Sequence, residues 1–453
     1  MSVQRPERPE REALRELAAE AYVYGYSLVL NLGMVENCLR RGVGLLPARP
    51  FNEFAHAARL AEPGERAVSV NNDTLNSVAQ VDLSAGPVYL HVPDTAGAYH
   101  VLQFVDAWMN NFAYLGSRAT GTTASDWLIV PPGWEGETPH TVRDVVRAPT
   151  SIVSVVGRFA CDGPDDLPRV RGLQEQLTLT PPRASAGGDG LPPPDAVVRD
   201  ELVFFERLRV WLADFPPAAA ERDYQQRFAP LGLLEEGRSP YGTADSTFVR
   251  TLVEGREAAR ERIEEAARPV REPAGGDWHA QPHQFDYNID HLGIGTIDSP
   301  RWKMTDRRSA HLARAVAART ALWGSHGYEV TAATTSTDAA GEQLDGAHSY
   351  LLRLPEPLPV DAFWSLSMYE TPEMQLVGNP AGRYSVGDRT PGLVRGEDGS
   401  LTVVVQRERP ADESEAANWL PAPGGGFRLT LRLYCPQEAV LEGGYRLPPL
   451  RRR

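Results

Sequence analysis

Lysine is nearly missing from this chain: Lys303 is the only one among 46 basic residues. A Schiff-base enzyme, pyridoxal-phosphate enzymes included, would have to work through it, and its neighbours SPRWKMTD offer no cofactor pocket. Cysteine is scarce too. Cys38, Cys161 and Cys435 lie far apart with no CxxC pair. That pattern excludes zinc knuckles and a disulfide framework, and makes reducing cytoplasm the expected compartment. No long apolar run occurs, and the opening MSVQRPERPERE is polar and charged, so neither an export leader nor a membrane span is expected. Positive charge is not in excess either. A formal charge of −14 argues against a nucleic-acid partner held on a basic face.

Motifs of well-specified sites are absent as well. There is no GxxxxGK[ST] loop, HExxH, GxSxG or EF-hand pattern. GIG at Gly293–Gly295 lacks the third glycine and the strand-to-helix setting of a dinucleotide fingerprint. No cofactor is therefore expected. The best metal-like stretch is WHAQPHQFDYNIDH, with His279, His283, Asp286, Asp290 and His291. Pro282 interrupts the histidine spacing, and a solvated polar loop explains the same letters, so no metal is expected.

What is present is a chain of 453 residues, enough for two to four domains, with 42% hydrophobic residues, near globular averages. Gly and Pro are abundant (40 and 38), favouring many turns. Residues from about Glu10 to Arg41 predict one long helix, with Leu14, Leu17, Ala21, Tyr24, Leu28, Leu32 and Val35 as its apolar stripe. From Val68 to Phe159 the period changes to two, and VYLHVPD, YHVLQFVD, FAYLGSR, DWLIVPPGW and SIVSVVGRF read as strands. RASAGGDGLPPPD reads as a linker. Helices follow: DELVFFERLRVWLADF, then ADSTFVRTLVEGREAARERIEEAAR capped by Asp245 or Ser246, then DRRSAHLARAVAARTALWG ending near Gly324. Strands return in SYLLRLP, FWSLSMYE, SLTVVVQRE and FRLTLRLYC. The fold class is mainly β with α additions: two β-sandwich or jelly-roll-like domains (61–182 and 326–453), an N-terminal helical segment (1–60) and a linker with a central helical segment (183–325).

Two polar clusters are candidates for chemistry. NNDTLNS (Asn71–Ser77) gathers amides, a carboxylate and a hydroxyl in one turn; Asp73 there is a potential general base, and an Asx-turn is the structural alternative. FVDAWMNNFAYLGSRATG holds Asp106, Asn110, Asn111, Arg118 and Thr120. Asp106 beside aromatic residues would have a raised pKa suited to acid–base work, whereas a salt bridge to Arg118 would lower it.

These same stretches, NNDTLNSVAQVDLSAGPVYLHVPD with YHVLQFVDAWMNNFAYLGSRATG and PPGW, resemble the bacterial family called domain of unknown function 1254. GEQLDGAHSYLLRLP, FWSLSMYE, NPAGRYSVGDRTPGL, NWLPAPGGGFRLTLRLYCP and the final GGYRLPP resemble its usual companion, domain of unknown function 1214. The resemblance implies a protein of two β domains with helical additions, often oligomeric, and names no reaction. Its signature polar positions fall here on Asn71, Asn72, Asp73, Thr74, Asp106, Arg118 and Thr120. In the second domain they fall on Trp364, Tyr369, Asn379, Arg383, Tyr384, Asn418 and Trp419. The chain departs from the pattern at Asn76, where the family has tyrosine, and at Ala98, Tyr99 and His100, where it has an RYY-like run.

The expected function is a cofactor-independent enzyme, a hydrolase ahead of a lyase or isomerase, acting by acid–base chemistry on a small, anionic organic metabolite. Asp73 or Asp106 would be the catalytic group. Asn72, Thr74, Arg118, Trp364, Tyr369, Arg383 and Tyr384 would bind substrate. The alternative is a non-catalytic carbohydrate or metabolite binder with an open aromatic groove. No nucleic acid or membrane is expected as partner, and a homo-oligomer is possible. An enzyme requires that the carboxylates and arginines meet in one hollow.

Overall fold

The computed structural model describes residues 8–65, 68–181, 190–268, 278–355 and 357–453. The predicted first helix runs Arg8–Arg40. Its stripe is the reason it forms: Ala21, Tyr24, Leu28, Leu32 and Val35 are buried together against Leu208, Trp211 and Leu252 of later helices. Gly25 lets the helices approach closely, since a Cβ there would stand 2.3 Å from Leu208 Cδ1.

The first β domain is a sandwich. One sheet has the order Phe54–His56, Thr74–Asp82, Ile152–Ala160, His100–Asp106, Asn111–Gly116. The other has Asp144–Arg147, Ser125–Val130, Val88–Val92, Thr178–Thr180. Alternation places Leu75, Val81, Leu102, Phe104, Val153 and Val155 of the first sheet against Leu90, Trp127 and Ile129 of the second. The first sheet begins at Phe54, ahead of the expected boundary at 61.

The second domain repeats the architecture. Its larger sheet runs His279–Ala280, Val330–Thr335, Phe427–Pro436, Val360–Glu370, Gln375–Leu376, with Ser385–Gly387 also on Val360–Glu370. Leu429, Leu431, Leu433, Trp364 and Leu366 face inward onto Leu352, Val403 and Val405 of the smaller sheet. The chain is thus mainly β with helical additions, in two sandwiches.

Between them come the helices Val203–Asp214, Ser246–Ala266 and Arg307–Thr320. Asp245 is the cap of the second, accepting from the backbone N–H of Thr247 and Phe248. The third ends at Thr320, short of the expected stop at Gly324. Ala321 already leaves helical geometry, and the Gly324 carbonyl is taken by the side-chain amides of Gln103 and Asn111. Residues 183–189 of the expected linker, 183–195, lie outside the described residues. Its end is anchored: Gly190 N–H donates to Asp82 and Trp211 Nε1 to the Pro192 carbonyl. Among the described residues no helix is long and apolar enough to cross a membrane.

The outward face of each larger sheet is turned toward the other. Tyr99 of the first sandwich packs edge-on against Phe363 and Tyr434 of the second, and Tyr369 Oη donates to the Val70 carbonyl at 2.6 Å. Where the facing sheets and the end of the Arg307–Thr320 helix do not meet, a hollow is left.

Candidate functional site

That hollow has a volume of about 1380 Å³. Strand alternation supplies its walls. From the first sandwich come Thr74, Asn76 and Val78, with Val156 and Arg158 on the neighbouring strand. The register sets Asn76 opposite Arg158 and Val78 opposite Val156. From the second come Arg428, Arg432 and Tyr434, with Val330, Ala332 and Thr334 beside them. Phe285, Leu322 and Trp323 close one side.

Apart from Glu65, which pairs with Arg59, the charge in this hollow is cationic. Arg432 donates to the Ser69 carbonyl at 2.6 Å and to Ser367 Oγ at 3.3 Å, with its guanidinium 5.7 Å from the centre of the Tyr369 ring. Burial opposes its charge, but Tyr369, Tyr434 and Asp73 outweigh burial and hold its pKa above the ordinary arginine value. Arg158 donates to Gln103 Oε1 at 2.8 Å and to the Trp323 carbonyl at 3.0 Å, with Ser325 Oγ at 3.4 Å. Among the described residues, every hydrogen bond made by either side chain ends on a neutral acceptor. The Asn76 Oδ1, also in the wall, has no hydrogen-bond partner among them.

Asp73 stands immediately behind this wall. It is buried, and its Oδ2 accepts from Ser365 Oγ at 2.5 Å and from Tyr434 Oη at 3.1 Å. Burial and the Asp73 charge push the Tyr434 pKa well above that of ordinary tyrosine, so the group facing the hollow is an uncharged phenol. The turn that presents Asp73 is an Asx-turn. Asn71 Oδ1 accepts from the backbone N–H of Asp73 and Thr74 and from Thr74 Oγ1 at 3.1 Å. Asn72 points away and donates to the Ala61 carbonyl at 2.6 Å.

The expected set is therefore gathered only in part. Thr74 lines the hollow, Asp73 backs it through Tyr434, and Tyr369 lies under Arg432. Asp106 is elsewhere, buried at the end of its strand, where Asn110 donates to its carboxylate from backbone and side chain at 2.8 and 2.9 Å. Burial raises its pKa, with His291 and these bonds working the other way. It makes no bridge to Arg118. Arg118 pairs instead with buried Glu329 and donates to the Gly295 carbonyl. Arg383 donates to the carbonyls of Ala417 and Trp419 at 2.9 and 3.0 Å, tying its turn to the junction of the Glu413–Ala417 helix and the Trp419–Pro421 strand, and it does not line the hollow. Trp364 is in the sandwich core, and Tyr384 packs in a small cluster with Tyr369 and Leu376. In the His279–His291 loop, His283 bonds Asp286 at 2.6 Å and Asp290 bonds Arg307.

Sequence reasoning missed Arg158, Arg428, Arg432 and Tyr434. The one available signal was FRLTLRLYC itself, in which Arg428, Thr430, Arg432 and Tyr434 alternate with leucines and must share a face.

Residues 51–181 match the model of a family described as "Protein of unknown function (DUF1254)", and residues 329–438 match "Protein of unknown function (DUF1214)". The chain carries both regions in that order, the first N-terminal and the second C-terminal. The DUF1254 region is the first sandwich, and the DUF1214 region holds most of the larger sheet of the second. Among solved structures, the VPA0106 protein from Vibrio parahaemolyticus is 24% identical. That match covers 97% of this chain and 100% of that one at a TM-score of 0.71, which establishes a common fold. An uncharacterised protein from Burkholderia cenocepacia is 13% identical, covering 99% of this chain and 91% of that one, at a TM-score of 0.45. No curated protein matches the chain.

Proposed function

We propose that this DUF1254–DUF1214 protein is an acid–base enzyme, a hydrolase or lyase, acting on an anionic organic metabolite in the hollow between its sandwiches. One observation carries the reading: Arg158 and Arg432 reach one cavity from opposite sandwiches with only neutral hydrogen-bond acceptors. Both arginines are half-buried and neither donates to a carboxylate, Asp73 acting on Arg432 only through its field, so an anionic ligand accepting from them in paired fashion adds the charge-assisted bonds they lack. Tyr434 then supplies the proton chemistry. Its oxygen takes a proton from an attacking water in a hydrolase, or from substrate carbon in a lyase, as its own passes to Asp73. The bond from water, or the new double bond, forms as the bond to the leaving group breaks, and the reverse transfer protonates that group. Ser365 holds the receiving carboxylate oxygen in place. Three buried free cysteines support a reducing, cytoplasmic setting.

A second reading is favoured by one observation, the placing of Asp73 behind Tyr434 instead of in the wall: the hollow then binds its anion without turning it over. Profiling metabolites after adding purified protein to cell extract separates the two. The enzyme depletes an organic anion and forms a product, and Tyr434→Phe does neither. Retention of an anion with no new compound establishes the binder.

A further inference from the structure

The hollow is not uniformly polar. Along the Thr74–Asp82 strand the wall passes from Thr74 to Asn76 to Val78, each step about 6.7 Å. The neighbouring strand repeats the change in register, Arg158 beside Asn76 and Val156 beside Val78. On the facing sandwich, Arg432 holds the Ser69 carbonyl and Tyr434 holds Asp73, so both lie over the polar end. Beyond Val78 and Val156, the wall continues with Leu46, Phe285, Leu322 and Trp323, all of one hydrophobic cluster. One end therefore offers guanidinium and hydroxyl groups; the other is mainly hydrocarbon, with Gln284 and Thr320, bonded to each other, and the exposed Arg268 also in its wall.

Resting on the reading that this hollow is the site, we propose that its ligand is an amphipathic carboxylate, an acid with a long alkyl or aryl-alkyl body. The carboxylate sits between Arg158 and Arg432, and the body lies along Val78, Val156 and Trp323. The unpartnered Asn76 oxygen, at the boundary, accepts from a hydroxyl or N–H close to the acid group. The volume of about 1380 Å³ exceeds what a two- or three-carbon acid fills and accommodates a chain of ten or more carbons with water.

The test is isothermal titration of the full chain with acetate, hexanoate, octanoate, decanoate, 1-decanol and inorganic phosphate. Affinity is expected to rise about fourfold per methylene from hexanoate to decanoate. Arg432→Met and, independently, Arg158→Gln weaken decanoate by about tenfold or more. Val156→Thr, which keeps the volume, flattens the chain-length series without abolishing binding. Far-UV circular dichroism and melting establish that each variant is folded. If acetate or phosphate binds as tightly as decanoate, the amphipathic assignment falls and the anion reading stands. If decanol binds as tightly as decanoate, the acid group is irrelevant and the assignment falls. If no anion binds at all, the reading of the hollow falls with it.

Discussion

Asp73 and Ser365, 292 positions apart in the chain, are joined by a 2.5 Å hydrogen bond from the serine hydroxyl to the carboxylate. The bond crosses from the first sandwich to the second and fixes the acceptor that also receives Tyr434 Oη. Structural and chemical roles therefore converge on one oxygen.

Replacing Asp73 separates those roles. Asp73→Ala strips the acceptor from two buried hydroxyls and lowers stability by about 2–4 kcal/mol in urea unfolding. Asp73→Asn keeps the shape and an acceptor oxygen; it melts close to wild type while turnover falls about a hundredfold or more. Equal turnover in Asp73→Asn and wild type would remove the proton relay.

Arg118 was a candidate for holding substrate, and the structure gives it a different test. Glu329 is 1% exposed, and burial raises its pKa even with Arg118 beside it. Arg118→Met leaves that carboxyl alone in the interior and costs about 3–5 kcal/mol of stability. The double variant Arg118→Met, Glu329→Met recovers most of the loss, as measured by chemical denaturation. A stable single variant with weakened substrate binding would restore the original role.

Histidines whose pKa burial lowers set an acid limit; besides His56 and His311, two are almost wholly inaccessible, His100 and His326. Burial lowers the pKa of His100 to about 4 and, with Arg118 adding to it, that of His326 to about 3. Both are neutral in the folded state and gain protons on unfolding below their ordinary value of 6.5. Their contribution is complete above pH 6.5 and is lost as pH falls toward the folded values, at up to about 1.4 kcal/mol per pH unit for each. Unfolding free energy measured from pH 7 to 4.5 should fall accordingly, and His100→Gln should make that slope shallower.

Gly255 is a packing requirement inside a helix. A Cβ there would lie 2.6 Å from the Arg15 carbonyl oxygen and 2.7 Å from Ala18 Cβ. Gly255→Ala should lower the melting temperature, a loss of about 1–3 kcal/mol, although alanine is the better helix former. An unchanged or raised melting temperature would show that the helices have room to part.

What was legible in the sequence was whatever a local period or turn encodes. The stripe from Leu14 to Val35, the alternating strands and the Asn71 turn all depend on neighbours a few residues away. The site does not. Alternation states that Arg428 and Arg432 share a face opposite Leu429 and Leu431, but not that a second sheet covers that face. The cluster around Asp106 looked like chemistry because its letters are polar; Asn110 satisfies its carboxylate within the same turn. Arg383 follows a readable NP turn, yet its acceptors, the carbonyls of Ala417 and Trp419, come from a stretch far downstream. Long-range pairing, not residue type, decided which arginines face the hollow.

Since each sandwich carries one wall, the gap between them behaves like the jaws of a vice. Bonds that cross from one slab to the other, Ser365 and Tyr434 to Asp73 and Tyr369 to the Val70 carbonyl, hold the opening at its width. Aromatic contacts beside the wall, Tyr99 against Phe363 and both against Tyr434, brace those jaws where the phenol meets the hollow.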